Sequence, residues 1–417
     1  MKKNILKDKN FLLYFIGMFV TSIGDIFYSF AVSWYILELT GSATQAGLYL
    51  AFGAIIKLIL SNFGAALVDR MDKVKIMYFT DFIRGIAIII TGFIIFSTSD
   101  KTIILTTLYI TASIMGTLGS LFGPATSALI KYMVPEESLQ QANSYLQIKN
   151  SVQSIIGMAS AGFIYSFLGI SGVFILNGVT FIISGFTELF IQVETQEEIE
   201  GKTTFKQLLS DIKEGWVYIY NKPTIFSLML IMVFLNFPFA LLFGIGLPYL
   251  FNQTLGVAPS YLSYVNVVRS VAMILMLIYL STKELGDKYY KNLRKYMTMT
   301  TVFYLLSISV VYVMGQALLA FNVAYALFLI SMALLAMSNG GVSVPMQTFL
   351  AKSFDKEMFA RSMAVIGIMS TITYPLASSV GGLIIDTLGL NVLLLFALVI
   401  YIICFVWFLC EKGIKKI

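Results

Sequence analysis

The sequence predicts an all-α membrane protein: twelve transmembrane helices in two pseudo-symmetric six-helix bundles. Three observations carry that prediction. Of 417 residues, 58% are hydrophobic and only 12% are charged, too little polar surface to cover a water-soluble chain of this length. The apolar stretches recur, and many reach roughly 20 residues, enough to cross a hydrocarbon core about 30 Å thick. They are continuously apolar rather than alternating, so they read as helices, which satisfy their own backbone amides in lipid.

The elements follow in order. Lys2, Lys3, Lys7 and Lys9 precede the first apolar run, and no small-residue cleavage site ends it. The run from Phe11 is therefore expected to stay as the first helix. Spans are expected near 11–37, 44–67, 76–97, 103–131, 143–168 and 172–192, then near 223–252, 260–281, 296–316, 322–351, 362–388 and 391–410. The chain divides into an N-terminal bundle (1–192), a cytoplasmic linker (193–222) and a C-terminal bundle (223–417). The linker opens on Glu194, Glu197, Glu198 and Glu200; Phe205, Leu208, Leu209 and Ile212 follow at the spacing of a short amphipathic helix on the membrane surface.

Basic residues sort by side. One side collects the N-terminal lysines, Arg70, Lys73, Lys75, Lys131, the linker lysines, Lys283 to Lys295, Lys352, Lys356, Arg361 and the C-terminal lysines; the other holds Lys101 alone. The positive-inside rule places both termini in the cytoplasm of a multi-pass plasma or inner membrane protein. The same rule accounts for the net charge of +6, so no nucleic acid partner is expected. Cys404 and Cys410 lie six apart on one span and cannot meet in a disulfide. The chain has no histidine, which removes histidine metal sites, Ser–His catalysis and histidine pH switching. Metal-ligand spacing and a nucleophile elbow are also absent from the sequence, so no metal, cofactor or enzyme activity is expected.

The two halves repeat weakly, in register. Gly162 and Gly169 correspond to Gly382 and Gly389 at an offset of 220, as Val134–Glu137 does to Phe354–Glu357. Thr40-Gly41-Ser42 corresponds to Leu255-Gly256-Val257 at an offset of 215. Such parallel repeats are an organisation known among secondary transporters.

The loop after the second span reads Gly64-Ala65-Ala66-Leu67-Val68-Asp69-Arg70-Met71-Asp72-Lys73. It resembles the signature cytoplasmic loop of the major facilitator superfamily, matching at Leu67, Asp69, Arg70 and Lys73 and departing at Ala65, Asp72 and Val74. Asp81-Phe82-Ile83-Arg84, Glu38-Leu39-Thr40-Gly41-Ser42, Asn177 to Phe181 and Val344 to Thr348 resemble the macrolide-efflux branch of its drug:proton antiporters. The resemblance covers the whole chain. It implies the major facilitator fold, with Asp69, Arg70 and Lys73, supported by an Asp81–Arg84 pair, closing the cytoplasmic face. Two features depart from the antiporter pattern: 157–162 lacks the fifth-span proline, although Pro375 and Gly381-Gly382 occupy the related place, and the fourth span has no arginine.

Ionisable residues near the bilayer centre are costly and so are functional candidates. Asp25 lies mid-way along the first span, on one face with Thr21, Ser22, Tyr28 and Ser29; Lys57 is mid-way along the second, with Gly53, Ser61 and Gly64. Arg269 lies mid-way along the eighth, beside Asn266. Asp25 and Lys57 fit either a structural ion pair or a proton and substrate site. Glu188 and Asp386 lie near span ends, from which their side chains are expected to reach the interface, and Lys149 is expected to snorkel. Asn236 and Phe237, beside the helix-bending Pro238, are candidates for the cavity wall, with Pro248 a second bend. The expected function is proton-coupled efflux of small amphipathic compounds by a lipid-embedded monomer. Alternatives are export of an anionic metabolite or siderophore, lysolipid flipping and, remotely, a membrane-embedded enzyme.

Overall fold

The computed structural model describes residues 5–68, 71–135, 138–193, 205–282, 289–411 and 413–416. The first four long helices are α1 (Lys9–Thr40), α2 (Ala43–Val68), α3 (Lys73–Ser97) and α4 (Lys101–Met133). The next helical run, Leu139–Leu189, has 51 residues. At 1.5 Å per residue it would extend roughly 76 Å, more than twice a hydrocarbon core. Gly169 breaks it, with φ 65° and ψ −178°, into α5 (139–168) and α6 (170–189). That break is why the 11 helical runs among the described residues that are long and apolar enough to cross a membrane make twelve crossings. Then come α7 (Phe205–Tyr220), α8 (Pro223–Thr254), α9 (Ser260–Ser281), α10 (Tyr289–Gly315), α11 (Phe321–Ser353), α12 (Lys356–Leu388) and α13 (Leu390–Cys410). There is no strand among the described residues.

The outward surface is apolar. Phe96 is 82% and Phe167 86% exposed, and α13 has a mean hydropathy of 3.1. Such faces are stable only against lipid, and the chain is a multi-pass membrane protein.

The repeat has a backbone counterpart. Gly41, Gly169, Gly256 and Gly389 have φ of 68°, 65°, 60° and 89°. They form two pairs at the offsets of 215 and 220 seen in the sequence. Each joins the end of one helix to the start of the next, in left-handed backbone that costs glycine nothing. Three acidic side chains fix helix ends. Asp72 accepts from Val74 N (2.9 Å) and Lys75 N (3.2 Å), capping α3, so the carboxylate has a structural role where the resembled loop has glycine. Asp100 caps α4 through Thr102 N and Ile103 N. Glu38 accepts from Trp34 Nε1 (2.7 Å) and from the Tyr165 hydroxyl (2.6 Å), tying the end of α1 to α5.

The chain forms two compact units, Met1–Thr40 with Tyr49–Phe205, and Gly41–Leu48 with Lys206–Ile417. In the first, α6 packs on α1 and α3. Gly85 and Gly178 let α3 and α6 approach closely; a Cβ on Gly85 would stand 2.9 Å from the Gly178 carbonyl oxygen. In the second, residues 41–48 pack on α12, and Asp386 is not free at an interface as its position suggests. Its carboxylate accepts from Ser42 Oγ (2.6 Å), Ala43 N (2.9 Å) and Thr44 N (2.9 Å).

The linker acids Glu194 to Glu200 and the side chains of Phe205, Leu208 and Leu209 lie outside the described residues. The α7 helix docks on the start of α12. Tyr218 donates its hydroxyl to Asp355 (2.8 Å) and accepts the Asp355 N–H (2.9 Å), and Arg361 pairs with Glu214 at 2.7 Å. Hydrogen bonds from Tyr218 and then Lys222 hold the Asp355 carboxyl below the usual carboxylate range, and the Tyr218 contact holds Lys222 above its own.

Candidate functional site

In the first unit, the small hydroxyls of the α1 stripe serve their own helix. Thr21 Oγ1 donates to the Gly17 carbonyl (3.1 Å) and Ser22 Oγ to that of Met18 (2.6 Å). The residues further along face outward from the helix. Tyr28 and Tyr49 share a hydroxyl–hydroxyl hydrogen bond of 2.7 Å, and the Tyr28 ring packs on Phe174. Beside them lies a cavity of about 210 Å³, lined among others by Ser29, Gly53, Lys57, Met115 and Gly116. The lysine is exposed to that space, with its stem beside Gly119.

Asp25 is partly buried, and no ion pair joins it to Lys57 among the described residues. Of the two readings left open for Asp25 and Lys57, the structural ion pair is therefore not formed. Arg84 and Lys57 are both cations within the electrostatic reach of Asp25. Arg84 is buried between the rings of Phe122 (4.2 Å) and Phe181 (4.7 Å) and ion-paired with Asp81, while its Nε donates to the Thr80 carbonyl (3.2 Å). A guanidinium flanked by two rings is held by cation–π attraction where water cannot reach.

Glu188 is also corrected: it is fully buried, not snorkelled. Ser184 Oγ donates to its Oε1 at 3.2 Å, and its Oε2 has no partner. Lys149, expected at the interface, is buried too, at 4% exposure. Lys73 is buried with its ammonium over the Tyr132 ring (5.7 Å). Asp69 and Arg70, the centre of the expected gate, lie outside the described residues.

In the second unit, the Arg269 guanidinium stacks on the Phe243 ring at 3.5 Å, and its Nη1 contacts Asn266 Oδ1 at 3.4 Å. Tyr374 is a further neighbour in its field. Phe243 stacks on Phe239, whose ring meets Tyr304 edge-on. π-Helical turns at Leu241–Gly246 and Leu250–Thr254 follow Pro238 and Pro248 within a few residues. Tyr304 donates its hydroxyl to the Pro238 carbonyl at 3.0 Å. Asn236 is exposed and Phe237 partly buried; no contact brings either to Arg269. Phe243 holds that place, two turns further along α8. The sequence reading missed Phe243, Tyr374 and Tyr49, although Tyr49, Gly53 and Lys57 share one face at a spacing of four.

Residues 14–317 and 230–415 match the Major Facilitator Superfamily. The chain belongs to that superfamily. This major facilitator transporter is 21% identical over 384 residues to macrolide efflux protein A of Streptococcus pyogenes, across 90% of this chain and 89% of that protein. It is 25% identical to the uncharacterized MFS-type transporter YkuC of Bacillus subtilis, over 65% of this chain and 63% of that one. It is 27% identical to the putative bacilysin exporter BacE of Bacillus subtilis, over 44% and 46%. The matches to YkuC and to two further Bacillus subtilis relatives span 63%, 54% and 48% of their lengths. In fold, the transporter is similar to a bacterial homologue of the iron transporter ferroportin in an inward-facing state (TM-score 0.71, 16% identity, 98% and 99% coverage). It is also similar to a bacterial homologue of the human lysosomal transporter Spinster (TM-score 0.66, 15% identity, 98% of each chain). The family and fold are those of transporters, not of enzymes.

Proposed function

We propose that this transporter exports small amphipathic molecules in exchange for protons by alternating access, with both termini in the cytoplasm. Asp25 is the coupling carboxyl. The observation that carries the reading is its placement: an acid mid-way along a membrane-spanning helix, within the field of two cations and one turn from a cavity wall. Burial favours the neutral carboxyl and a nearby cation favours the carboxylate. A change in the distance from Lys57 or Arg84 during the transport cycle therefore loads or releases a proton. The likeness to a macrolide efflux protein over nine-tenths of the chain supports the direction and the amphipathic substrate class. Asp69 and Arg70 are assigned to the cytoplasmic gate by the loop they share with the superfamily.

The test is uptake and counterflow of a macrolide in proteoliposomes. A pH gradient is expected to drive transport by the native protein. Asp25→Asn is expected to lose the gradient-driven component while retaining counterflow. Undiminished pH dependence in that variant would falsify the assignment.

A second reading has an observation of its own. Lys57 faces open space and Arg269 is seated on an aromatic ring, and neither forms an ion pair with a carboxylate among the described residues. A substrate with a carboxylate of its own would fill that role. Preferential transport of an N-acyl amino acid over its amide would favour this reading.

A further inference from the structure

We propose that protons pass between Asp25 and the cytoplasmic face along a buried file through Asp81, Ser184 and Glu188, held in place by Arg84. The proposal rests on the proton-coupled reading above and adds the route. It is built on α6. Asn177, Phe181, Ser184 and Glu188 follow one another at spacings of four, three and four, so they share one helix face. All four are buried. From Asn177 to Glu188 the face runs roughly 16 Å, about half a hydrocarbon core.

The other helices bring the charges to this face. From α1, Gly24 packs on Asn177 beside Asp25, and Gly17 packs on Ser184. From α3, Gly85 packs on Gly178, which sets Arg84 against Phe181 and Asp81 near Ser184. The file thus steps from Asp25 at the level of Asn177, past Arg84, to Asp81, then through Ser184 to Glu188 near the end of α6. Other groups that face it are Tyr14 on α1, which donates to the Thr126 carbonyl, Tyr28 on α1, whose hydroxyl is bonded to that of Tyr49, and Lys57 on α2; α4 contributes the Phe122 ring.

Two features distinguish this file from a structural salt bridge. It contains three carboxyl groups and one embedded guanidinium, and that guanidinium is pinned to Asp81. Three carboxylates, Asp81 and Glu188 fully buried and Asp25 partly so, cannot all be charged beside Arg84 and Lys57 alone, so the file holds at least one proton. Three polar atoms in the file are also buried with no partner: Asn177 Nδ2, Asp81 Oδ2 and Glu188 Oε2. Buried polar atoms are normally paired. Two orphaned carboxyl oxygens, one on Asp81 and one on the Glu188 that accepts from Ser184, are acceptors for a proton in transit.

In the transfer, the Asp25 O–H bond breaks and an O–H bond forms on Asp81, leaving Asp25 as carboxylate. The Asp81 O–H bond then breaks as one forms on Ser184 Oγ, returning Asp81 to carboxylate, while the original Ser184 O–H bond breaks as one forms on Glu188; Glu188 finally gives a proton to cytoplasmic water and returns to carboxylate. Arg84 stays protonated throughout. It positions Asp81 and keeps the chain of carboxyls from collecting protons permanently.

The experiment is a pH jump on proteoliposomes adsorbed to a solid-supported membrane, with protons as the only probe. The native protein is expected to give a transient charge displacement, and Asp25→Asn to lose it. Glu188→Gln is expected to slow its decay at least tenfold, and Glu188→Asp, which restores a carboxyl, to recover it. Ser184→Ala removes the bridging hydroxyl without changing charge, and is expected to slow decay similarly if Glu188→Gln fails to fold. A native transient abolished by Asp25→Asn but unchanged in amplitude and decay by Glu188→Gln and Ser184→Ala would overturn the route and leave the coupling reading standing. No transient in the native protein would remove both.

Discussion

Asp386→Ala is expected to release the first turn of α2 from α12. Its carboxylate is the second cap on that helix: Ser42 Oγ already accepts from Gln45 N at 3.1 Å, and Asp386 takes Ala43 N, Thr44 N and Ser42 Oγ itself. Loss of a helix cap costs about 1 kcal/mol, and the attraction of an anion to a helix N-terminus adds about 0.3–1 kcal/mol. The side chain is exposed, so water replaces part of what is lost. The net cost is about 1 kcal/mol, or roughly fivefold in the population of the detached turn. Ala46, fully buried in the same turn, reports it. In a background lacking Cys404 and Cys410, maleimide labelling of Ala46→Cys should be about fivefold faster with Asp386→Ala, on the same arithmetic. Asp386→Asn keeps one carbonyl acceptor and should give a smaller acceleration. Labelling rates within a factor of about two of the parent would refute the latch, because a contact worth so little holds nothing closed.

Three further outcomes follow from single contacts. Gly382→Val should prevent residues 41–48 from seating, since even a Cβ there would stand 2.3 Å from the Ala43 carbonyl oxygen; the Ala46→Cys reporter should then label without Asp386→Ala. Arg84→Met leaves Asp81 buried without its cation, and should lower stability in detergent by about 3–5 kcal/mol, with Arg84→Met combined with Asp81→Asn recovering part of it; thermal unfolding of the three proteins decides. The Asp355 carboxyl is held below its ordinary range by Tyr218 and Lys222. Its contribution to docking of α7 is therefore complete above the usual carboxylate pKa and is lost as pH falls through the lowered value. Trp216 fluorescence, in a background without Trp34 and Trp407, should report an acid transition, and Tyr218→Phe should move its midpoint to higher pH.

The parts of the fold that were legible in the sequence are those set by local physics. Each span is a solubility statement about its own residues, and each of the four left-handed glycines answers a need of its own backbone. That is why a weak repeat in glycines alone located two pairs of helix junctions. Asp25 was legible for the same reason, since its depth follows from its place along one helix. Its partner was not. Lys57 was visible because it lies at a similar depth on the next helix, and nothing along the chain says that Arg84 also stands within reach of Asp25. The place of Arg84 depends on α6 setting Phe181 under the guanidinium, a contact between residues about a hundred positions apart. The stripe Asn177, Phe181, Ser184 and Glu188 was present in the sequence, but one polar residue per turn reads as ordinary among apolar neighbours. Its meaning appears when α1 and α3 supply the acids and the arginine from the other side. In the second unit the reading named Asn236 and Phe237 and not Phe243, which lies two turns further along the same helix against Arg269. Pro238 and the π-helical turn beyond it change the helical period between them, so a face counted at 3.6 residues per turn drifts. Charge partners across helices are thus the point at which local reading fails, and in this chain they are also the groups on which coupling depends.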